Sequence, residues 1–218
     1  MKSTLFNMTA VLLGITLVAS AGVGVVNMIT VEPIAAAEQA AKTEALTRVL
    51  PQFDTTETVT KTIDEMQITV YTASQSGQAV GYAVETMSKN GFGGPISLMV
   101  GFTPEGEVIN VNVLKQTETP GLGTKMADEG NPLLNSVKGH KLTEKKLVNG
   151  MLAVTKDGGD VDALTAATIS SRAYVDAINR AWMAYKSVVD GIAPSAVSGA
   201  TKQVPANEPE TQKGGKNE

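Results

Sequence analysis

The 218-residue chain contains no cysteine. This excludes disulfides, thiolate metal ligands, cysteine-linked haem and a cysteine nucleophile. Histidine is almost missing too. His140 is the only one and lies in the lysine-rich stretch KGHKLTEKK, where a solvated side chain is the ordinary outcome. No metal site is expected from so few ligands. Aromatic residues make up 4% of the chain, so a core must be built chiefly from aliphatic side chains. The charges are interspersed and sum to −4, with no basic stripe of the kind that neutralises a phosphate backbone. Nucleic acid is therefore not an expected partner.

What the chain does have begins near its start. Residues 5–29 carry no charge, a run longer than the roughly 20 residues a membrane helix needs. Ala19-Ser20-Ala21 has the small-residue spacing of a signal-peptide cleavage site. The apolar run continues past Ala21, however, which favours an uncleaved anchor. Lys2 precedes the span, while Glu32 and Glu38 follow it before Lys42. That charge balance puts the N-terminus in the cytoplasm and the remainder outside. Residues 35–50 are good helix formers, with Leu46, Val49 and Leu50 as a short apolar face and Pro51 as a stop.

Strand-like segments come next. Residues 68–73 (ITVYTA) and 79–86 (AVGYAVET) flank the polar turn SQSGQ. Residues 96–102 (ISLMVGF) and 107–114 (EVINVNVL) flank Thr103-Pro104-Glu105-Gly106, which has good turn chemistry. In the last of these, Ile109, Val111 and Val113 share one face and Asn110 and Asn112 the other, so a sheet covered on one side is expected. Residues 151–155 (MLAVT) predict one more strand. Val175, Ile178, Trp182, Tyr185 and Val189 then recur at helical spacing, and Gly191 and Pro194 end that helix. Residues 192–218 show no apolar periodicity and predict a disordered tail. The fold class expected is α+β. A single N-terminal transmembrane helix (1–30) leads through a helical stalk (31–50) to one domain (51–191) with an antiparallel sheet and a C-terminal helix.

Three loops could carry chemistry. Gly91-Phe92-Gly93-Gly94-Pro95 is either an awkward turn or a place where backbone approaches a ligand closely. In Glu118-Thr119-Pro120-Gly121-Leu122-Gly123, Pro120 and Gly121 suit the centre of a type II turn. Leu122 would either meet a flat apolar ring or pin the loop into the core. Thr165, Thr168, Ser170 and Ser171 cluster where the last helix begins. Such hydroxyls are the usual helix caps. The same place suits a phosphate, which a helix N-terminus favours by about 0.3–1 kcal/mol when exposed.

Residues 162–168, DALTAAT, resemble the flavinylation motif of the FMN-binding domain family. In that motif an aspartate, then Ser or Thr, a small residue, Ala and Thr precede a helix. GFGGP and ETPGLG occur in the same order there. The ordered set most resembles the G-subunit family of Rnf-type electron-transport complexes, and the resemblance, N-terminal anchor included, spans about residues 1–190. The C-subunit family of sodium-pumping NADH:quinone reductases is the near alternative. This resemblance implies FMN joined by a phosphoester to Thr168, with Thr165 and Ser170 beside the phosphate. It places Glu118, Thr119, Leu122 and Gly123 at the flavin. Asp162 would be read by a separate Mg-dependent flavin transferase that uses FAD as donor.

The implied role is a redox carrier, not catalytic alone, among the other membrane subunits of an ion-translocating ferredoxin:NAD oxidoreductase. It would sit in the bacterial cytoplasmic membrane with the flavin domain on the outer side. The ion path belongs to partner subunits, because one span without an intramembrane charge offers no route. One departure stands out: the family usually has Gly where this chain has Ala166, and a methyl fits there if φ is not positive. Ser198-Gly199-Ala200-Thr201 matches the motif's core literally, but Ser195 replaces its aspartate and no helix pattern follows. Two competing readings remain. One is a membrane-tethered binding or scaffold domain whose hydroxyls only cap a helix. The other is a pilin-like subunit, disfavoured because residues 5–29 lack an early glutamate.

Overall fold

A computed structural model describes residues 5–191, so the expected tail, and Thr201 with it, lies outside the described residues. Helix α1 (Leu5–Val49) runs without a break through the expected anchor and stalk, with Pro33 inside it. The chain forms two compact units, Met1–Lys42 and Thr43–Glu218. The described part of the first is helix alone, uncharged over residues 5–31, and long and apolar enough to cross a membrane.

The second unit opens on the last turns of α1, where Ala45, Leu46 and Val49 are buried. Five strands follow as an antiparallel meander in chain order: β1 (Thr55–Ile63), β2 (Met66–Gln75), β3 (Gln78–Ser88), β4 (Ile96–Phe102) and β5 (Val108–Lys115). Both turns between β1 and β3 use left-handed residues, Asp64 and Glu65 in the first and Ser76 and Gly77 in the second. These give the tight hairpins whose twist matches the sheet. Strands β2 to β5 lie where alternation and turn chemistry predict them. Strand β1 has no counterpart among the strands expected from sequence. Its segment TTETVTKTI has few apolar residues, and it holds the edge through full-length pairing with β2 and threonine's β-branched fit to a pleated surface.

Three expectations are corrected. The sheet is covered on both faces. One face, with Ile68, Val70, Val84, Leu98, Val100 and Phe102, packs on α3 (Thr168–Val189). The other, with Ala73, Ala83 and Met99, takes Leu46 and Val49 from the end of α1 and Leu50 just after it. Second, a bulge breaks the alternation in β5. Gly101 pairs with Asn110 and Phe102 with Val108, so Ile109 is the extra residue and Val108 replaces it in the core beside Val111. Third, the strand over 151–155 shrinks to β7 (Met151–Leu152), paired with β6 (Leu147–Val148), while Val154 makes only a single bridge to Val161. A short helix, α2 (Pro132–Val137), capped by Asn131, lies between β5 and β6.

Helix α3 closes the core with a face rich in alanine. Ala173, Ala177, Ala181 and Ala184 are fully buried, together with Tyr174 and Ile178. Small side chains let the helix settle close to the sheet, and Thr86 Oγ1 donates to the Ala177 carbonyl at 3.1 Å across that contact. The expected stripe holds through Tyr185. Val189 is 42% exposed, so the buried face stops short of the helix end. Four of the nine aromatics gather: Tyr82, Phe102, Trp182 and Tyr185 form one cluster with ring centroids 4.9–5.8 Å apart.

Candidate functional site

The three loops singled out by sequence converge on the N-terminus of α3. The loop after β5 turns at Thr119-Pro120-Gly121-Leu122, where Leu122 N–H donates to the Thr119 carbonyl at 3.2 Å and Gly121 has φ +75°. This is the turn that Pro-Gly predicts. The loop between β3 and β4 is held against it, because Thr117 Oγ1 donates to the Gly93 carbonyl at 2.9 Å. Between these loops and α3 lies a cleft of about 340 Å³, lined by Phe92, Thr119, Leu122, Gly123, Ala166, Ala167, Thr168, Ile169 and Ser170. Phe92 is 67%, Leu122 40% and Ile169 47% exposed, so three apolar side chains wall it without entering the core. Leu122 therefore does not pin its loop into the interior.

The hydroxyl cluster does not cap the helix. The residue in the cap position is Ala167, and no side chain bonds to the first turn there. Each hydroxyl is placed differently. Ser171 Oγ accepts from Leu164 N–H at 2.9 Å and donates to the Ala167 carbonyl at 2.8 Å, locking the preceding turn. Ser170 Oγ donates to Glu118 Oε2 at 2.5 Å. Thr168 is half-buried on the cleft wall and its Oγ1 accepts from Lys156 Nζ at 2.7 Å. Thr165 is exposed and outside the cleft lining.

Asp162 is also exposed and outside the lining; its backbone N–H is anchored on Ser136 Oγ at 3.0 Å. Glu118 is buried behind the cleft rather than on its wall. Arg172, four residues past Thr168, is not turned to a phosphate there; it forms a two-pronged pair with Asp157 at 2.7 and 2.6 Å. That hydrogen bond, and then its charge, holds the Asp157 carboxyl below its ordinary range.

Ala166 departs from expectation. Its φ is +59°, in the left-handed region, so the methyl sits where glycine would be unstrained. The left-handed penalty of about 1–2 kcal/mol is partly offset by alanine's lower unfolded-state entropy. Ala166→Gly is therefore expected to stabilise the chain slightly, by up to about 1 kcal/mol, raising Tm by about 2–4 °C. A thermal melt of the detergent-solubilised chain checks this. A lowered Tm would show that Ala166 is not strained.

Lys156 was not foreseen as a site residue. It lies in a single 3-10 turn (Thr155–Asp157), and nothing in its spacing from Thr168 marks it. A second recess of about 390 Å³ lies elsewhere, bounded by Arg48, Asn110, Asp128 and Lys138 among others. Its lining mixes charged and amide groups with Val111, Val113, Met126 and Leu134, and none of the three loops reaches it. His140 is exposed, and among the described residues no group of three or more His, Asp or Glu could hold a metal.

Residues 91–183, which contain all three loops and most of α3, match the model of the FMN-binding domain family. A Shewanella piezotolerans protein, named as the G subunit of an ion-translocating oxidoreductase complex, is 33% identical over 195 residues, covering 83% of this chain and 88% of its own. The chain belongs to this family. The G subunit of Shewanella amazonensis is 30% identical over 190 residues, with 83% and 87% covered. That of Shewanella loihica is 41% identical over 118 residues, a match spanning 54% of each chain.

The cleft of this G-subunit relative fits the cofactor its domain family is named for. Phe92, Leu122 and Ile169 offer apolar surface to a planar ring. The uncapped start of α3 and the Lys156 Nζ offer N–H groups and positive charge to a phosphate. The Gly123 position leaves no room for a side chain, since a Cβ would lie 2.6 Å from Ser170 Oγ. That keeps the cleft floor bare.

Proposed function

We propose that this chain is a membrane-anchored electron carrier whose FMN is joined to Thr168 by a phosphoester, within an Rnf-type ion-translocating oxidoreductase. The observation that supports this most is the fate of the hydroxyls. Thr168 Oγ1 is on the cleft wall, unused by capping, at the start of a helix that no side chain caps. The apolar helix of the first unit would be the anchor, with the flavin domain on the outer side of the bacterial cytoplasmic membrane.

Attachment makes one bond and breaks one. Thr168 Oγ1 bonds to the FMN-side phosphorus of FAD, the pyrophosphate P–O bond breaks, and AMP leaves. The hydroxyl proton passes to a base of a separate flavin transferase, because His140 is remote in the chain and no cysteine exists. Exposed Asp162, three residues before Thr165, is available for that transferase to read. Once attached, the flavin supplies the redox chemistry. The chain's own residues would hold it: Leu122 and Phe92 would offer apolar surface to the ring, Thr119 and Gly123 would shape the floor, and Lys156 would oppose the phosphate charge. Lys156→Ala is expected to slow attachment about three- to tenfold, with Lys156→Arg retaining most of the rate. In-gel fluorescence against time measures it, and an unchanged rate would remove Lys156 from the site.

The deciding experiment is intact mass and peptide mapping of the chain co-produced with a flavin transferase. One added FMN on the peptide holding Thr168 is the expected result. An unmodified chain, with a control substrate modified in the same cells, would leave a tethered binding domain as the function. A flavin on Thr201 would move the site outside the described residues.

A further inference from the structure

Glu118 is 4% exposed, and no basic side chain among the described residues pairs with it. Its carboxyl instead joins three separate pieces of chain. Oε2 accepts from Ser170 on α3 at 2.5 Å, and Oε1 accepts from the Gly93 backbone N–H at 3.2 Å. Its own N–H donates to Gln116 Oε1 at 2.7 Å, which fixes the loop that carries it.

The glycines around it are spaced as that arrangement needs. A Cβ on Gly91 would lie 2.6 Å from Glu118 Oε1, and one on Gly123 would lie 2.8 Å from both Cβ and Oε2 of Glu118. A Cβ on Gly93 would lie 1.9 Å from the Thr117 carbonyl oxygen. None of these three has a positive φ. Their lack of a side chain is required by close packing, not by backbone conformation: against the Glu118 segment at Gly93, against Ser170 and Glu118 at Gly123, and against the Gly94 carbonyl oxygen and Glu118 at Gly91.

We propose that Glu118 is a positioning residue that clasps the two glycine loops to the start of α3, and so sets the cleft before any flavin arrives. It acts through its partners. Ser170 is two residues from Thr168, and Gly93 follows Phe92, so one carboxyl holds both the acceptor hydroxyl and an apolar wall in register. Ser170 is correspondingly tied to Glu118 and is not a free phosphate ligand. The proposal rests on Thr168 as the flavin site for its consequence, but the clasp itself is independent of that reading.

Two measurements separate the two. In the flavin-free full chain in detergent, amide hydrogen exchange is compared for wild type, Glu118→Ala, Glu118→Gln and Ser170→Ala. The clasp predicts about tenfold faster exchange over 91–95 and 119–123 in Glu118→Ala and Ser170→Ala, with β2 to β4 unchanged. Glu118→Gln, which keeps an acceptor and can donate to Ser170 Oγ, restores most of the protection. Unchanged exchange in those loops for both Glu118→Ala and Ser170→Ala would overturn the proposal. So would faster exchange spread evenly through the sheet, because that would mark general destabilisation. In the flavin-loaded chain, the same two variants are expected to lower the fluorescence anisotropy of the linked flavin. Slack loops with unchanged anisotropy would disprove the functional consequence, whereas a wild type without flavin would count against the Thr168 reading and leave the exchange result to decide the clasp.

Discussion

Thr168→Ala abolishes covalent flavin while leaving the fold in place; that is the largest functional effect expected here. Thr168 is half-buried and its hydroxyl makes one hydrogen bond, to the exposed Lys156, so its loss costs no more than about 1 kcal/mol of stability. The chemical loss is complete, because no other oxygen occupies the same point on the cleft wall. Without the tether, FMN no longer benefits from the millimolar-range effective concentration a short linkage provides, and dialysis or denaturation removes it. Thr168→Ser keeps the hydroxyl and is expected to retain attachment at a reduced rate. Thr201→Ala is expected to behave as wild type. Intact mass and fluorescence after denaturation measure all three. Full-strength covalent flavin in Thr168→Ala would dispose of the assignment outright.

Gly101→Ala carries the largest expected structural effect. Gly101 lies in β4 beneath the end of α1, and a Cβ there would fall 1.9 Å from the Val49 carbonyl oxygen and 2.8 Å from its carbonyl carbon. Backbone on both sides leaves nothing flexible to yield. The sheet and the last turn of α1 must part, opening the contact that also buries Leu46 and Met99. A loss of about 3 kcal/mol is expected. Gly121→Ala makes a useful contrast. Its Cβ would meet nothing, so only the strain at φ +75° remains, about 1–2 kcal/mol. Urea unfolding of the two variants should rank them in that order. Equal midpoints would mean the α1 contact contributes little.

The residues that were legible share one property: their pattern is local. Strands β2 to β5 follow from alternating apolar residues between turns, and α3 from its spacing of three and four. Strand β1 was hidden because its evidence lies in partner β2, not in its own polar composition. The covered second face was hidden for a similar reason. Ala73, Ala83 and Gly101 look like weak strand residues until the end of α1 is seen to press on them. In β5 the one-residue bulge moved Ile109 off the core, and no side-chain pattern announces where a ladder slips.

At the site, the loops were legible and their contacts were not. The pairing of Lys156 with Thr168 and of Glu118 with Ser170 joins residues 12 and 52 positions apart. The strain at Ala166 did have a signal. The family's usual glycine at that place is what a left-handed residue would call for. The hydroxyl cluster had the composition of a cap, yet the cap position fell on Ala167.

The order of the sheet bears on when the cofactor can be added. Strands β1 to β5 pair only with their neighbours in the chain, so the sheet can assemble progressively as the polypeptide emerges. Helix α3 is the last described element, and it both buries the open face of that sheet and brings Thr168 to the two loops. The proposed acceptor is thus assembled in the same step that completes the core. A transferase that requires this shape would modify only molecules that have finished folding, and the yellow colour of an attached flavin would then report maturation.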